Sequence, residues 1–169
     1  QIIKQGDLYI LYYTGMTHPF DEPVPPLTSY DPEVLISRSN KRTGIAISNS
    51  VFGPWKRFDR PVINPRPGHY DNFLISNTIP CVGADGQIHI IYKSLAYQKP
   101  PYSTFCLHDP TQRLGALIVD SFNGDYTKNR LDTPLNTEYE VEDPFVWYDE
   151  DGFNMMAKDM DGRLCGEEF

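Results

Sequence analysis

The chain has 169 residues, enough for one domain with a buried core, and its 40% hydrophobic and 13% aromatic content marks a folded chain. A formal charge of −8 opposes a phosphate-backbone ligand, so no nucleic-acid partner is expected. No apolar run approaches the roughly 18 residues a membrane helix needs, so no membrane partner is expected either.

Fifteen prolines and twelve glycines, without a sustained helical period, predict strands and turns. The chain opens at Gln1 with no start methionine and no signal-peptide pattern. Residues 4–15 (KQGDLYILYYTG) read as a hairpin whose second strand is rich in tyrosine and β-branched residues. Residues 16–31 are crowded with proline and predict an extended loop. A strand follows over 42–48, then a turn over 50–56 pivoting on Gly53-Pro54. Residues 59–75 run from a proline-rich loop into the next strand, with His69 and Asp71 just ahead of it, placed to project over its mouth. Strands over 74–82 and 87–94 flank the turn Asp85-Gly86. Residues 96–110 form a second long loop, in which Tyr102 offers an aromatic face to a sugar, and 114–120 is the next strand. Cys81, Cys106 and Cys165 are odd in number and form no C-x-x-C pair, which predicts buried small hydrophobes and neither a disulfide framework nor a zinc site.

The most distinctive stretch begins at Asn136 (NTEYEVEDPFVWYDEDGFNMMAKD). Glu142-Asp143-Pro144 heads an aromatic and β-branched run, and Asp151-Gly152 then turns the chain into a second strand, giving strands over 143–148 and 152–159. Pro144 cannot donate a ladder hydrogen bond, so it belongs among the strand's first residues, with the two acids at the strand mouth.

The same unit recurs along the chain. Aligning Asp85-Gly86 with Asp151-Gly152, 66 positions on, places Ser76-Asn77-Thr78 opposite Glu142-Asp143-Pro144. Residues 45–56 recur as 116–128, about 71 positions on, and LYILYYTG over 8–15 lies on QIHIIYKS over 87–94, 79 positions on. About two and a half copies of one all-β unit are present, the signature of a blade or array architecture.

With these residues in place, the chain resembles the five-bladed β-propeller glycoside hydrolases, those of family 43 and the related families 32, 117 and 130. The resemblance rests on the D-G hairpin before LYILYYTG, on RTGIAISNSVFGPW over 42–55, and on E-D-P at the head of a strand. It implies an all-β fold that is a partial five-bladed propeller, a single incomplete domain over 1–169 with approximate blades 1–58, 59–130 and 131–169. It also implies a carbohydrate substrate, no cofactor, and a periplasmic or secreted address. No spaced ligand set supports a structural calcium.

In these families three carboxylates from successive blades meet in a central cavity, one protonated to assist the leaving oxygen and one ionised across the sugar. By this resemblance Glu142 is the general acid, with Asp143 where the family has glycine. Because relatives also use an R-D-P aspartate, Asp143 is the supporting acid, its charge expected to raise the pKa of Glu142. Asn77 stands where the second blade's aspartate is expected, and the first blade's base falls before Gln1. The chain therefore reads as a fragment, silent alone and prone to self-association. His69, Asp71, Asn77, Lys158 and Asp159 are the candidate sugar contacts, with Trp147 or Tyr148 a candidate platform. Two alternatives stay open: a glycoside phosphorylase of the same fold, which needs a basic cluster in place of the base, and a non-catalytic sugar-binding propeller, which Asn77 favours.

Overall fold

The computed structural model describes residues 1–17, 31–99, 104–105 and 111–160. The expectations for Tyr102, Cys106, Cys165 and most of the loop over 16–31 lie outside the described residues. The elements run β1 (Ile2–Gln5), β2 (Leu8–Gly15), α1 (Pro32–Ser39), β3 (Arg42–Ser48), β4 (Lys56–Arg57), β5 (Leu74–Val82), β6 (Ile88–Ala96), β7 (Gln98–Lys99), β8 (Thr104–Phe105), β9 (Thr111–Val119), β10 (Val141–Asp149) and β11 (Gly152–Asp159). Every strand pairing is antiparallel. Three larger sheets follow one another along the chain, in the orders β1-β2-β3-β4, β5-β6-β9 and β10-β11, and β7-β8 is a small separate ribbon. The fold is all-β, and the expected strands occur close to their predicted bounds. Period-2 patterning between Asp-Gly and Gly-Pro turns was therefore a sufficient guide.

The sequence reading passed over the helix α1 and the two-residue strands β4, β7 and β8, the last two inside the stretch 96–110 that it read as a loop. The helix has its physical signals, a proline in the first turn where no N–H is needed, Glu33 near its start and Arg38 near its end. At eight residues it is too short for a 3.6-residue period to emerge.

The main core lies between the first two sheets. Ile10, Tyr12 and Ile45 from the first meet Ile75, Ile88, Ile90, Tyr92, Leu117 and Val119 from the second. The Tyr12 hydroxyl is satisfied there by the hydroxyl of Tyr126, 2.8 Å away. Cys81, the one cysteine among the described residues, is free and buried. Both sheets repeat one packing device. Tyr13 lies opposite Gly44, and Tyr92 lies opposite Gly115, each ring lying across its glycine. A Cβ on Gly44 would come 2.6 Å from Tyr13 Cζ, and one on Gly115 would come 2.2 Å from Tyr92 Cζ. The strands can carry large rings at these positions because the partner has no side chain.

The third sheet is built differently. Val141 and Val146 are buried, but Phe145, Tyr148, Phe153, Met155 and Met156 are exposed. These exposed side chains stand on both faces of the sheet, Phe145 and Met156 on one and Tyr148, Phe153 and Met155 on the other, and the self-association expected for the chain would rest on them.

Candidate functional site at the meeting of three sheets

The 66-residue repeat has a backbone counterpart. The register of β5 against β6 shifts between Ser76 and Ile79, and that of β10 against β11 shifts between Glu142 and Phe145. Within these bulges Asn77 has φ +46° and Asp143 φ +48°, a left-handed conformation that Asn and Asp tolerate better than other side chains with a Cβ. A bulge re-aims its side chain away from the pleat. Here the two re-aimed side chains meet, Asn77 Nδ2 donating to Asp143 Oδ1. The Asn77 N–H also donates to Thr14 Oγ1 of β2 at 3.3 Å. Residues of all three sheets therefore converge at this corner.

Glu142, one residue before the bulge, accepts a hydrogen bond from Lys93 Nζ of β6 and stands opposite Lys158 of β11 in register. Lys93 in turn stands opposite Ser76. The end of α1 closes the corner, with the Ile75 N–H donating to the Lys41 carbonyl at 3.3 Å, and Arg42 Nη1 donating to the Lys41 carbonyl at 2.7 Å. The hydrogen bond from Lys93 holds the Glu142 carboxyl below the usual glutamate range, against the opposing effect of partial burial. The charges of Lys93, Lys158 and Arg38 add to the lowering. This corrects the expectation that Asp143 would raise the Glu142 pKa. The cations outweigh the one neighbouring carboxylate, and Glu142 is ionised at neutral pH.

Asp71 is also unlike its expectation. Its side chain is 0% exposed, bound by Arg66 Nε at 3.1 Å, by Arg130 Nη2 at 2.7 Å and by the Tyr92 hydroxyl at 2.8 Å. With no surface to offer, it is not a sugar contact. The cause is the buried Arg130 and the partly buried Arg66, whose charges it balances. Tyr92 and Lys93 are successive residues of β6, so their side chains leave opposite faces, and Asp71 lies across the sheet from Glu142.

His69 sits in a turn, its N–H donating to the Arg66 carbonyl at 3.2 Å, and makes no hydrogen bond to Asn77, Glu142 or Asp143. Trp147 stacks on Phe145, with ring centroids 5.9 Å apart, and donates from Nε1 to Asp149 Oδ2 at 3.0 Å. That ties it toward the hairpin end of β10, roughly 15 Å along the strand from Glu142 at about 3.3 Å per residue, too far to be its sugar platform. Asp159 stands opposite Val141, next to Lys158. The structure thus gathers Asn77, Glu142, Asp143 and Lys158 with Asp159 alongside, and leaves out His69, Asp71 and Trp147.

Sequence reasoning missed Lys93, Arg38, Lys41 and Thr14. Lys93 did leave a signal, as a lone lysine inside the apolar strand IHIIYKSLA, where a charge must have a partner or reach water. Among the described residues, no group of three or more His, Cys, Asp or Glu side chains could hold a metal ion. No protein-family model matches the chain, and no curated protein matches it.

Proposed function

We propose that the chain belongs to a carbohydrate-active β-propeller that cleaves a glycosidic bond, its sugar seated at the corner formed by Thr14, Asn77, Glu142 and Asp143. The observation that supports this reading is the pair of matching bulges. They turn an amide and a carboxylate from two repeat-related strands toward each other beside a second carboxylate. Sugar hydroxyls are bound by such fixed donors and acceptors, and a repeated strand-mouth seat is how a propeller brings side chains from different blades to one place.

Glycoside cleavage requires one protonated and one ionised carboxyl. Lys93 suits Glu142 to the ionised role, as base, nucleophile or stabiliser of positive charge on the ring, in place of the acid role the resemblance implied. Asp143, fixed by Asn77, supports the corner. The test is turnover by a propeller containing this chain, on both an oligosaccharide and an activated aryl glycoside. Glu142→Gln is expected to lower kcat on both by about 100-fold or more, because an ionised carboxylate is needed whatever the leaving group. Unchanged turnover on both would overturn the reading. A loss confined to the oligosaccharide would return Glu142 to the acid role. A second reading, sugar binding without turnover, is supported by Asn77 standing where a carboxylate is expected. Measurable affinity with no product over long incubation would establish it.

A further inference from the structure

In a chain of formal charge −8, four cations surround the corner described above. Lys93 is engaged by Glu142. Arg38, Lys41 and Lys158 have no hydrogen-bonding or ion-pairing partner for their side chains among the described residues. Their placement follows from the backbone. Lys158 is opposite Glu142, Lys93 is opposite Ser76, and Lys41 is tied by its carbonyl to Ile75, the residue before Ser76. Arg38 is one helical turn from Lys41, whose N–H donates to the Arg38 carbonyl at 3.0 Å.

Such a cluster is unfavourable when empty. Lys41 is partly buried, and its ammonium pKa is lowered by that burial and by the charges of Arg38 and Lys93. Glu142 and Asp143 set two negative charges at the corner against four cations, and one oxygen of Asp143 is already taken by the Asn77 amide. A second observation points the same way. Ser76 is 1% exposed and its hydroxyl has no hydrogen-bond partner. Being opposite Lys93 in an antiparallel pair, it emerges on the same face of the sheet. An oxyanion entering here would meet positive charge from Arg38, Lys41 and Lys158 and a donor from a hydroxyl otherwise left unsatisfied.

Resting on the glycan reading above, we infer that this corner binds a negatively charged group carried by the sugar, a sulfate ester or a uronate carboxylate, between Arg38, Lys41 and Lys158 with the Ser76 hydroxyl as a further donor. The substrate class is therefore an anionic glycan. The overall negative charge of the chain makes the cluster selective, since the rest of the surface repels the same ligands.

The experiment is equilibrium binding to the full chain of four probes: a sulfated galacto-oligosaccharide, its desulfated counterpart, an oligogalacturonate and inorganic sulfate. The charged sugars are expected to bind roughly tenfold or more tighter than the neutral one, with an affinity that falls as salt is raised. Preference for the sulfated sugar over the oligogalacturonate assigns the sulfate ester, and the reverse assigns the uronate. Arg38→Gln and Lys41→Gln should each reduce that preference several-fold while leaving neutral-sugar affinity and the thermal midpoint unchanged, and Lys158→Gln should reduce the preference as well. Equal binding of charged and neutral sugars, with no binding of sulfate, overturns the inference and leaves the glycan reading standing. Binding of sulfate with no binding of any sugar overturns both.

Discussion

Two neighbouring residues of β6 open onto two charge centres of opposite character. On the Tyr92 face Asp71 is sealed among Arg66, Arg130 and the Tyr92 hydroxyl, with one carboxylate answering two guanidinium groups at no exposure to water. On the Lys93 face Glu142 is partly open, and three of the four cations near it have no hydrogen-bonding or ion-pairing side-chain partner among the described residues. Both are carboxylates in basic surroundings. The difference is that the first set is held together by its own ion pairs and hydrogen bonds, while the second has charge left over. A closed set holds the fold together, and an open one is available to a ligand.

The largest expected effect tests the sealed centre. Asp71→Ala should cost about 3–5 kcal/mol of stability, measured by urea unfolding, because it takes the carboxylate away from the buried Arg130 and leaves Arg66 only Asp132 and a backbone carbonyl. A loss under about 1 kcal/mol would erase the distinction between the two faces. Next comes the ring lying across Gly115. Gly115→Ala should cost about 1–3 kcal/mol through overpacking against Tyr92, and Gly44→Ala somewhat less, since its Cβ has slightly more room. Equal stability of both variants and the parent would show that the rings move aside freely.

Glu142→Gln belongs at the small end. Its partner is partly solvated, so about 1 kcal/mol or less should be lost, while the activity effect predicted above is large. The pH dependence sharpens the contrast further. Because the folded pKa of Glu142 lies below that of an ordinary glutamate, the contact with Lys93 stabilises the fold fully above the ordinary glutamate pKa. The contribution is lost as pH falls through the folded pKa. Lys93→Met should raise the Glu142 pKa in a carboxyl-carbon NMR titration and flatten this part of the acid limb of stability. An unmoved titration would mean that Lys158 and Arg38 alone hold it down.

How much of this was legible in the sequence depends on the distance over which each cause acts. Strand alternation and the Asp-Gly turns are local, and they placed most strands correctly. The repeat offset carried further, setting Ser76-Asn77-Thr78 opposite Glu142-Asp143-Pro144, the two segments that share a bulge. What stayed hidden was which side chain would neutralise which. Asp71 reads as a loop acid until Arg130, remote in sequence, is brought onto it by the bridge between Leu117 and Arg130. Glu142 reads as an acid catalyst until Lys93 is found beside it. Trp147 was misplaced for a geometric reason, because five steps along a strand carry a residue roughly 15 Å away even when the two look close on paper.

The left-handed backbone at Asn77 and Asp143 restricts what evolution or engineering can write there. At φ +46° and +48° only glycine, asparagine and aspartate sit without much strain, so the two seats share an alphabet of three letters: nothing, an amide or a carboxylate. Their charge can be changed one unit at a time with the chain path kept. Asn77→Asp would place two carboxylates in hydrogen-bonding contact sharing a proton, and Asp143→Asn would leave two neutral amides. The corner is thus a pair of interchangeable chemical sockets, set by the backbone and tuned by single-atom differences in the side chain.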